Sequence, residues 1–327
     1  MSLENTDTRN RIPAFDIMKG IAILLVIAGH IPGIPAWMKQ WIYSFHIPLF
    51  LFLSGFFFKP GREVGTVLRK SAGRLLVPIA VTSAFILLYG VAVGLKNGSW
   101  DPFIRYVAYT VFPSGVPSLP FLDEDIVGGN TPLWFLWALF WCQLTATFLK
   151  SRGMPDYGLL LFGLAGICLD RFLPTFPLAL TEGWSALLFF GTGHLFARYG
   201  AKPWLKILCL VCWVAAFLFS RMDVMLSDYG FLPLDFLGAC GGTLVIWKLS
   251  SLIESLPARL WRGLEWLGRN SMAVFCVHTL EKVGQLRGYC YIWKYWYIEL
   301  PVRIVVVILI TLVLSRISFT RKVFRMA

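Results

Sequence analysis

Apolar segments recur along the whole sequence, and they restrict the chain to a membrane-embedded fold. Hydrophobic residues occupy 57% of the 327 positions, charged residues only 15%, and the mean hydropathy is +0.68. Soluble globular domains do not have this composition. Because a backbone in lipid must satisfy its own hydrogen bonds, we predict an all-α polytopic transmembrane helix bundle. The expected spans, about ten in number, lie at roughly 14–31, 42–58, 75–95, 131–149, 157–173, 184–198, 204–220, 232–250, 268–284 and 299–316.

The distribution of lysine and arginine predicts that both termini are cytoplasmic. With the N-terminus inside, 20 of the 30 cationic residues fall in cytoplasmic segments and 8 in external ones, which is the usual bias of membrane proteins. The bias accounts for the net charge of +12 without nucleic acid as a partner. We expect the chain in a membrane, with lipids around it, and specifically in a bacterial cytoplasmic (inner) membrane.

No polar stretch is long enough for a second, soluble domain, so we predict one membrane domain over residues 1–327. Residues 1–13 would form a short cytoplasmic tail, and residues 317–327 a basic one. The N-terminal segment does not follow a signal-peptide pattern. The longest external loop, 96–130, is expected to be irregular apart from an interfacial helix at Asp101–Val111.

The seven cysteines do not have the spacing of a metal site. Cys209 and Cys212 lie three positions apart, but no second pair or histidine accompanies them. We interpret the cysteines as small apolar residues and expect no metal.

Ionisable residues inside the first apolar segment are the first functional candidates. Lys19 and His30 lie within this segment, and Asp16 lies at its start. Charges in a membrane are costly, so each one is by default a functional hypothesis. Eleven positions bring Lys19 and His30 back to nearly one helix face, about 16 Å apart along the axis. The simpler alternatives are an interfacial histidine, and a lysine that reaches the headgroups and pairs with Asp16.

Three other ionisable residues are expected at the outer membrane depth of His30. His46 begins the second span, and His278 lies in the ninth span, three residues before Glu281. A histidine transfers protons readily near neutral pH, so this group suits acid–base chemistry. His46 is explained equally well as a helix-terminal residue.

Small residues predict close helix packing in two places. Gly191 and Gly193 flank His194, which we interpret as a packing residue rather than a catalytic one. Ser54 and Gly55 interrupt a bulky aromatic run and would let another backbone approach. As packing alone this is ordinary, although the Ser54 hydroxyl could also serve a reaction.

The second cytoplasmic segment carries the densest basic cluster, which consists of Lys59, Arg62, Arg69, Lys70 and Arg74. Such clusters usually meet anionic lipid. They would also suit the phosphates of a nucleotide-bearing donor.

Three tryptophans, Trp134, Trp137 and Trp141, open the fourth span. One interpretation is an aromatic belt at the membrane interface. The other is a stacking surface for a sugar ring. The sequence leaves both open.

The chain resembles a known family at several of these residues, the integral membrane acyltransferases called acyltransferase family three. The family has a basic residue, ten intervening positions and a histidine in its first helix, often after an aspartate. Further matching segments follow in the same order along the chain. The matching positions are Asp16, Lys19 and His30, then Phe50–Phe56, Arg69 with Arg74–Pro78, Leu133–Leu136, and Leu267–Ser271 before His278.

Within the family, Phe45–Leu49 and Asn130–Leu136 look most like the fucose 4-O-acetylase-like branch of sugar O-acetyltransferases. Arginine is common in the family where this chain has Lys19, a change that keeps the charge but not the geometry. Residues 150–260 match in hydropathy alone.

The resemblance implies an O-acyltransferase that uses acetyl-CoA, or a similar acyl-CoA, as a cytoplasmic co-substrate. The acceptor would be a carbohydrate or glycolipid hydroxyl, on a surface polysaccharide or its lipid-linked precursor. His30 would act as the base or as a transient acyl carrier. The expected catalytic residues are His30 and Asp16; the donor contacts are Lys19, Ser54, Arg69, Lys70 and Arg74; the acceptor contacts are His46, Asn130, Trp134, His278 and Glu281.

Two other functional classes remain open at this stage. A transporter or exporter of a sugar or lipid-linked precursor would also have many spans and intramembrane charges, although the sequence contains no evident inverted repeat. A purely structural membrane protein would leave Asp16, Lys19 and His30 unexplained. The acceptor sugar, the acyl group and the oligomeric state, including a homodimer, are not specified by the sequence.

Overall fold

The computed structural model describes residues 12–118, 130–170, 172–173, 175–283 and 295–326. Within these ranges the protein is all-helical, as predicted, apart from an isolated bridge between Asp223 and Asp228. The helices are α1 Pro13–Gly29, α2 Ala36–Tyr43, α3 His46–Phe56, α4 Val64–Ser71, α5 Val77–Asn97, α6 Asp101–Val111, α7 Trp134–Ser151, α8 Gly158–Asp170, α9 Leu180–Ser185, α10 Leu187–Tyr199, α11 Pro203–Phe219, α12 Leu232–Glu254, α13 Arg262–Arg269, α14 Ser271–Val283, α15 Trp296–Ser315 and α16 Ser318–Phe324.

Each predicted span coincides with a helix or with two consecutive helices. Among the described residues, three segments are long and apolar enough to cross a membrane: Val64–Asn97, Leu232–Glu254 and Trp296–Ser315. Gly158–Asp170 and Pro203–Phe219 are apolar but shorter. The count of about ten spans and the cytoplasmic termini therefore stay predictions.

The second predicted span is not one continuous helix. It is divided between α2 and α3, and Phe45 between them has a non-helical backbone (φ −149°, ψ −15°). Pro48 explains the division, because a proline ring clashes with the carbonyl four residues earlier, here that of Ser44. The break places His46 at the first position of α3. The ninth span is also divided between two helices: α13 ends at Arg269, α14 begins at Ser271, and Asn270 lies between them.

Glycine allows the closest helix crossing in the structure, between α1 and α13. A Cβ atom on Gly268 would lie 1.7 Å from the Asp16 carbonyl oxygen, and one on Gly20 would lie 2.1 Å from that of Leu264. Both distances are impossible for any other residue. The two backbones therefore touch directly, and the crossing fixes the N-terminal half of α1, where Lys19 lies.

The predicted packing of Ser54–Gly55 and of Gly191 and Gly193 is confirmed. A Cβ on Gly55 would lie 1.8 Å from the Phe190 oxygen, and one on Gly193 would lie 2.0 Å from the Phe52 oxygen. Helices α3 and α10 thus cross backbone to backbone. Gly191 faces α8 on the other side of α10, and a Cβ on Gly191 would lie 3.0 Å from the Cβ of Leu159.

Two peripheral helices complete the fold. The predicted interfacial helix is α6, Asp101–Val111, and it packs on α5. The predicted basic tail forms α16, which buries Val323 and Phe324 in the main core. The acidic part of the external loop, residues 123–125, lies outside the described residues.

Candidate functional site

The centre of the candidate site is a pair of histidines from distant parts of the chain. His30 follows the last residue of α1 as its C-cap, and His278 lies in the second turn of α14. Their ring centroids are 5.3 Å apart. His278 is fully buried, whereas His30 is half-buried. The clustering of these two histidines, expected from their membrane depth, is present in the fold.

A main-chain hydrogen bond determines the tautomer of His30. Its Nδ1 lies 2.8 Å from the carbonyl oxygen of Val26, four residues earlier. A carbonyl oxygen only accepts, so Nδ1 donates, and in the neutral ring the lone pair is on Nε2. The end of α1 supplies this acceptor because the carbonyls of a last helical turn have no further backbone partner. Nε2 is therefore the basic atom of His30.

His46 repeats this arrangement at the start of α3. Its Nδ1 donates to the Ile42 oxygen at 2.9 Å, and its ring is 5.0 Å from that of Tyr43. The Tyr43 hydroxyl donates to the Gly29 oxygen at 3.3 Å, next to His30. Tyr43 thus connects the His46 end of α3 with the His30 end of α1. The sequence analysis did not select Tyr43, although it lies in the short segment that joins the two histidines.

Behind His278 lies a chain of buried charges. Glu281 Oε2 is 3.3 Å from His278 Nδ1, and Glu281 Oε1 is 2.9 Å from an Arg303 guanidinium nitrogen. A second guanidinium nitrogen of Arg303 is 2.6 Å from Glu299 Oε1. Arg303 and Glu299 were not among the predicted site residues. The sequence indicated them only through their spacing, since Glu299 and Arg303 form an i,i+4 pair of opposite charges at the start of an apolar helix.

Trp134 begins α7, and Asn130 lies four residues before it. Trp134 is only 6% exposed, so it faces the protein interior and does not belong to a lipid-facing aromatic belt. Its neighbour Phe135 packs at 6.1 Å from Phe275, one turn before His278 on α14. Asn130 is half-buried just before α7 begins. The start of α7 therefore adjoins the helix that carries His278.

The N-terminal end of α1 holds an ion pair. Lys19 Nζ lies 2.5 Å from Asp16 Oδ1, and Asp16 is 7% exposed. Asp16 precedes His30 by fourteen positions, or roughly 21 Å of helix. The structure therefore pairs Asp16 with Lys19, and the expected catalytic role of Asp16 stays a prediction.

The predicted donor-binding cluster lies on α4 and the turn after it. Arg69 and Lys70 are exposed in the last turn of α4, and Arg74 is exposed in the π-helical turn Ala72–Leu76. Lys59 and Arg62 are exposed before α4. This surface is strongly cationic.

A polar chain links Ser54 to the basic segment. The Ser71 hydroxyl donates to Gln143 Oε1 at 2.8 Å, and Gln143 Nε2 donates to the Ser54 hydroxyl oxygen at 3.0 Å. Gln143 therefore joins α3, α4 and α7. It was not predicted, because a single glutamine in an apolar helix has no motif of its own.

His194 belongs to a separate, structural cluster, in agreement with its interpretation as a packing residue. Its Nε2 lies 3.1 Å from Asp156 Oδ1, which also accepts from Lys150 at 2.7 Å. Arg198 and Tyr199 donate to the other oxygen at 2.8 and 3.1 Å. The Lys150 ammonium, followed by His194 and Tyr199, holds the pKa of Asp156 well below its usual range. The cluster joins the loop before α8 to α7 and α10.

Comparison with known proteins agrees with this architecture. The family profile described as acyltransferase domain matches residues 12–319. The Nodulation protein NolL of Sinorhizobium fredii is 29% identical over 161 residues, which cover 46% of this chain and 38% of that protein. The Nodulation protein NolL of Mesorhizobium japonicum is 32% identical over 153 residues, 41% of this chain and 34% of that protein.

The chain thus matches little more than a third of the length of either relative. The family match covers nearly the whole chain, since it includes the ion pair at the start of α1, both His30 and His278, and all of α15. On this evidence the chain belongs to the acyltransferase family three of integral membrane proteins.

Proposed function

We propose that this protein is a membrane O-acyltransferase that moves an acetyl or similar acyl group from acyl-CoA to a carbohydrate hydroxyl. The observation that carries the proposal is the outer histidine pair, in which the Val26 carbonyl leaves the lone pair of His30 on Nε2. A base with a fixed tautomer beside a second imidazole suits removal of a hydroxyl proton. Membership of an acyltransferase family favours this reaction over the transporter alternative.

In the proposed reaction, His30 Nε2 takes the proton of the acceptor hydroxyl as its oxygen attacks the thioester carbonyl. The carbon–sulfur bond breaks, and the CoA thiolate leaves with the proton from His30, so that an ester and free CoA are the products. In the alternative route His30 itself takes the acyl group and passes it to the acceptor. Ser54, or a backbone N–H near Pro48, would stabilise the oxyanion.

The donor is proposed to enter from the cytoplasmic side. The exposed cations Arg69, Lys70 and Arg74 would bind the nucleotide phosphates of acetyl-CoA, and Lys19 would lie beside the pantetheine arm. That arm, roughly 15–20 Å long, matches the rise of about 16 Å between Lys19 and His30 along α1. The chain Ser71–Gln143–Ser54 offers polar groups between the two ends.

The acceptor is proposed to bind at the outer end. His46, Asn130, Trp134, His278 and Glu281 are the candidate contacts. Trp134 is buried in the protein rather than turned to lipid, which favours its sugar-contact interpretation. A surface polysaccharide or its lipid-linked precursor would be the acceptor, and a bacterial inner membrane the location.

The decisive experiment uses the full chain in membranes with radiolabelled acetyl-CoA as the probe. His30→Ala should abolish transfer of label to membrane carbohydrate while donor binding is retained. A matched variant, His194→Gln, changes a histidine outside the site and should keep transfer within about twofold, since it leaves Lys150 and Arg198 on Asp156. Unchanged transfer by the folded His30→Ala protein would refute the proposal.

A further inference from the structure

Arg303 is an unusual residue for its position. It lies in the second turn of α15, one of the three described helices that are long and apolar enough to span a membrane, and it is only 9% exposed. An arginine near a helix end ordinarily extends to the headgroups. Here the guanidinium is instead held by two carboxylates, Glu281 on α14 and Glu299 on its own helix.

The two oxygens of Glu281 have different partners. Oε1 lies 2.9 Å from Arg303, and Oε2 lies 3.3 Å from His278 Nδ1. The planar guanidinium contacts one carboxylate with each of two nitrogens, a geometry that a lysine ammonium does not reproduce. The contact on Oε1 holds one end of the carboxylate against Arg303 and so limits how far Oε2 can move from His278. Glu299, 2.6 Å from the other nitrogen, fixes the guanidinium in turn.

The last step in this chain is the histidine pair. His278 is fully buried, and its ring centroid is 5.3 Å from that of His30. A carboxylate close to Nδ1 of a histidine favours a ring orientation that keeps this nitrogen toward the negative charge. Glu281 Oε2 lies at ion-pair distance, 3.3 Å, from His278 Nδ1, so its charge acts on this edge of the His278 ring.

We propose that Arg303 is a positioning residue of the acyl-transfer site: it fixes the Glu281 carboxylate, which orients His278 against His30. Glu299 supports Arg303. The inference rests on the proposed function and extends it to a helix, α15, that carries none of the predicted site residues. It concerns the transfer step, because the chain of contacts ends at the outer histidine pair and does not include the cytoplasmic donor-binding residues.

The competing explanation is that Arg303 only stabilises the packing of α15 against α14. Both explanations predict a less stable protein when the guanidinium is lost, because two buried carboxylates would lose their counter-charge. They differ in the activity of the molecules that remain folded. A positioning role lowers kcat for each folded molecule, whereas a purely structural role lowers only the number of folded molecules.

The experiment compares Arg303→Gln and Arg303→Lys with the unaltered chain in detergent or proteoliposomes. The number of folded sites is counted by binding of radiolabelled acetyl-CoA, and transfer of label to membrane carbohydrate is divided by that number. We expect Arg303→Gln to lower kcat per site at least tenfold, with the KM for acetyl-CoA within about twofold of normal. Arg303→Lys should recover part of this loss. As a matched control, Lys248→Gln removes an exposed cation on α12, outside the proposed site, and should leave both the KM for acetyl-CoA and kcat per site nearly unchanged.

A kcat per site within twofold of normal for Arg303→Gln would overturn the inference. If that variant does not accumulate, Arg303→Lys decides, since full kcat per site with a single ammonium would equally overturn it. The result is separable from the proposed function: active His30→Ala protein would refute the function, whereas inactive His30→Ala with fully active Arg303 variants would refute only the inference.

Discussion

The carboxylate of Glu281 lies between two partners of different kinds, with Oε2 3.3 Å from His278 and Oε1 2.9 Å from Arg303. All three side chains are at least nine-tenths buried. A neutral side chain at 281 would leave the Arg303 charge with Glu299 alone and remove the carboxylate from His278. The relationship explains why this part of α14 can hold a histidine without exposing it to water.

His278→Gln should lower kcat for acyl transfer by about tenfold to a hundredfold, in the range typical of a lost acid–base or orienting group. The glutamine keeps a polar side chain of similar length but has no imidazole beside His30. The measurement is transfer of label from acetyl-CoA, normalised to bound donor. Thr279→Ala, next along α14, is the control; it bonds only to the Phe275 carbonyl and should keep kcat.

Lys19→Gln should raise the KM for acetyl-CoA several-fold and leave kcat nearly unchanged, because Lys19 is proposed to contact the donor and lies far from the transfer chemistry. Lys19→Arg should restore much of the affinity, since arginine also pairs with Asp16. Steady-state kinetics at varied acetyl-CoA distinguish the two constants. Lys248→Gln, at an exposed cation on α12, should have no effect. A change in kcat alone for Lys19→Gln would contradict the donor role.

Gly268→Ala should destabilise the protein by about 2 kcal/mol or more, because the added methyl would meet the Asp16 carbonyl and force α1 and α13 apart. Gly263→Ala is the matched control on the same helix, since a Cβ there meets no atom within 4 Å. That variant should gain up to about 1 kcal/mol from helix propensity. Thermal unfolding in detergent measures both, and equal effects at 263 and 268 would contradict the crossing.

Asp156→Asn should cost about 3 kcal/mol at neutral pH, because it removes the negative charge that neutralises Lys150 and Arg198. The folded-state pKa of Asp156 lies below its ordinary value of 3.8, so its stabilising contribution is complete above that value and is lost as the pH falls further. The stability difference between the two proteins should therefore be constant from pH 7 to 5 and shrink below about pH 4. Unfolding curves at several pH values test this, and a difference that disappears near pH 6 would contradict it.

Helix positions were largely predictable, because apolar runs in a membrane have few alternatives to a helix. The helix at Asp101–Val111 and the close packing at Gly55 and Gly193 were predicted from the local sequence. The division between α2 and α3 was missed, although Pro48 determines it through a local clash. Counting spans from hydropathy does not detect a clash between a proline ring and a backbone carbonyl.

Contacts within one helix were predictable from spacing, whereas most contacts between helices were not. Lys19, Asp16 and His30 share α1, so spacing alone related them. The role of Arg303 depends on which helix lies beside α15, and no periodicity in its own segment specifies that neighbour. Gln143 was missed for the same reason, because Ser54 and Ser71 reach it from different helices.

The hydrogen bond from His30 to the Val26 carbonyl makes the two ring nitrogens chemically unequal. Two methylhistidines of the same size and hydrophobicity, placed at position 30, would therefore behave differently. A methyl group on Nδ1 would sacrifice the bond to α1 but keep the lone pair on Nε2. A methyl group on Nε2 would cover the reactive atom and turn a lone pair toward the carbonyl oxygen. The Val26 carbonyl at the end of α1 therefore determines which of the two ring nitrogens of His30 carries the lone pair.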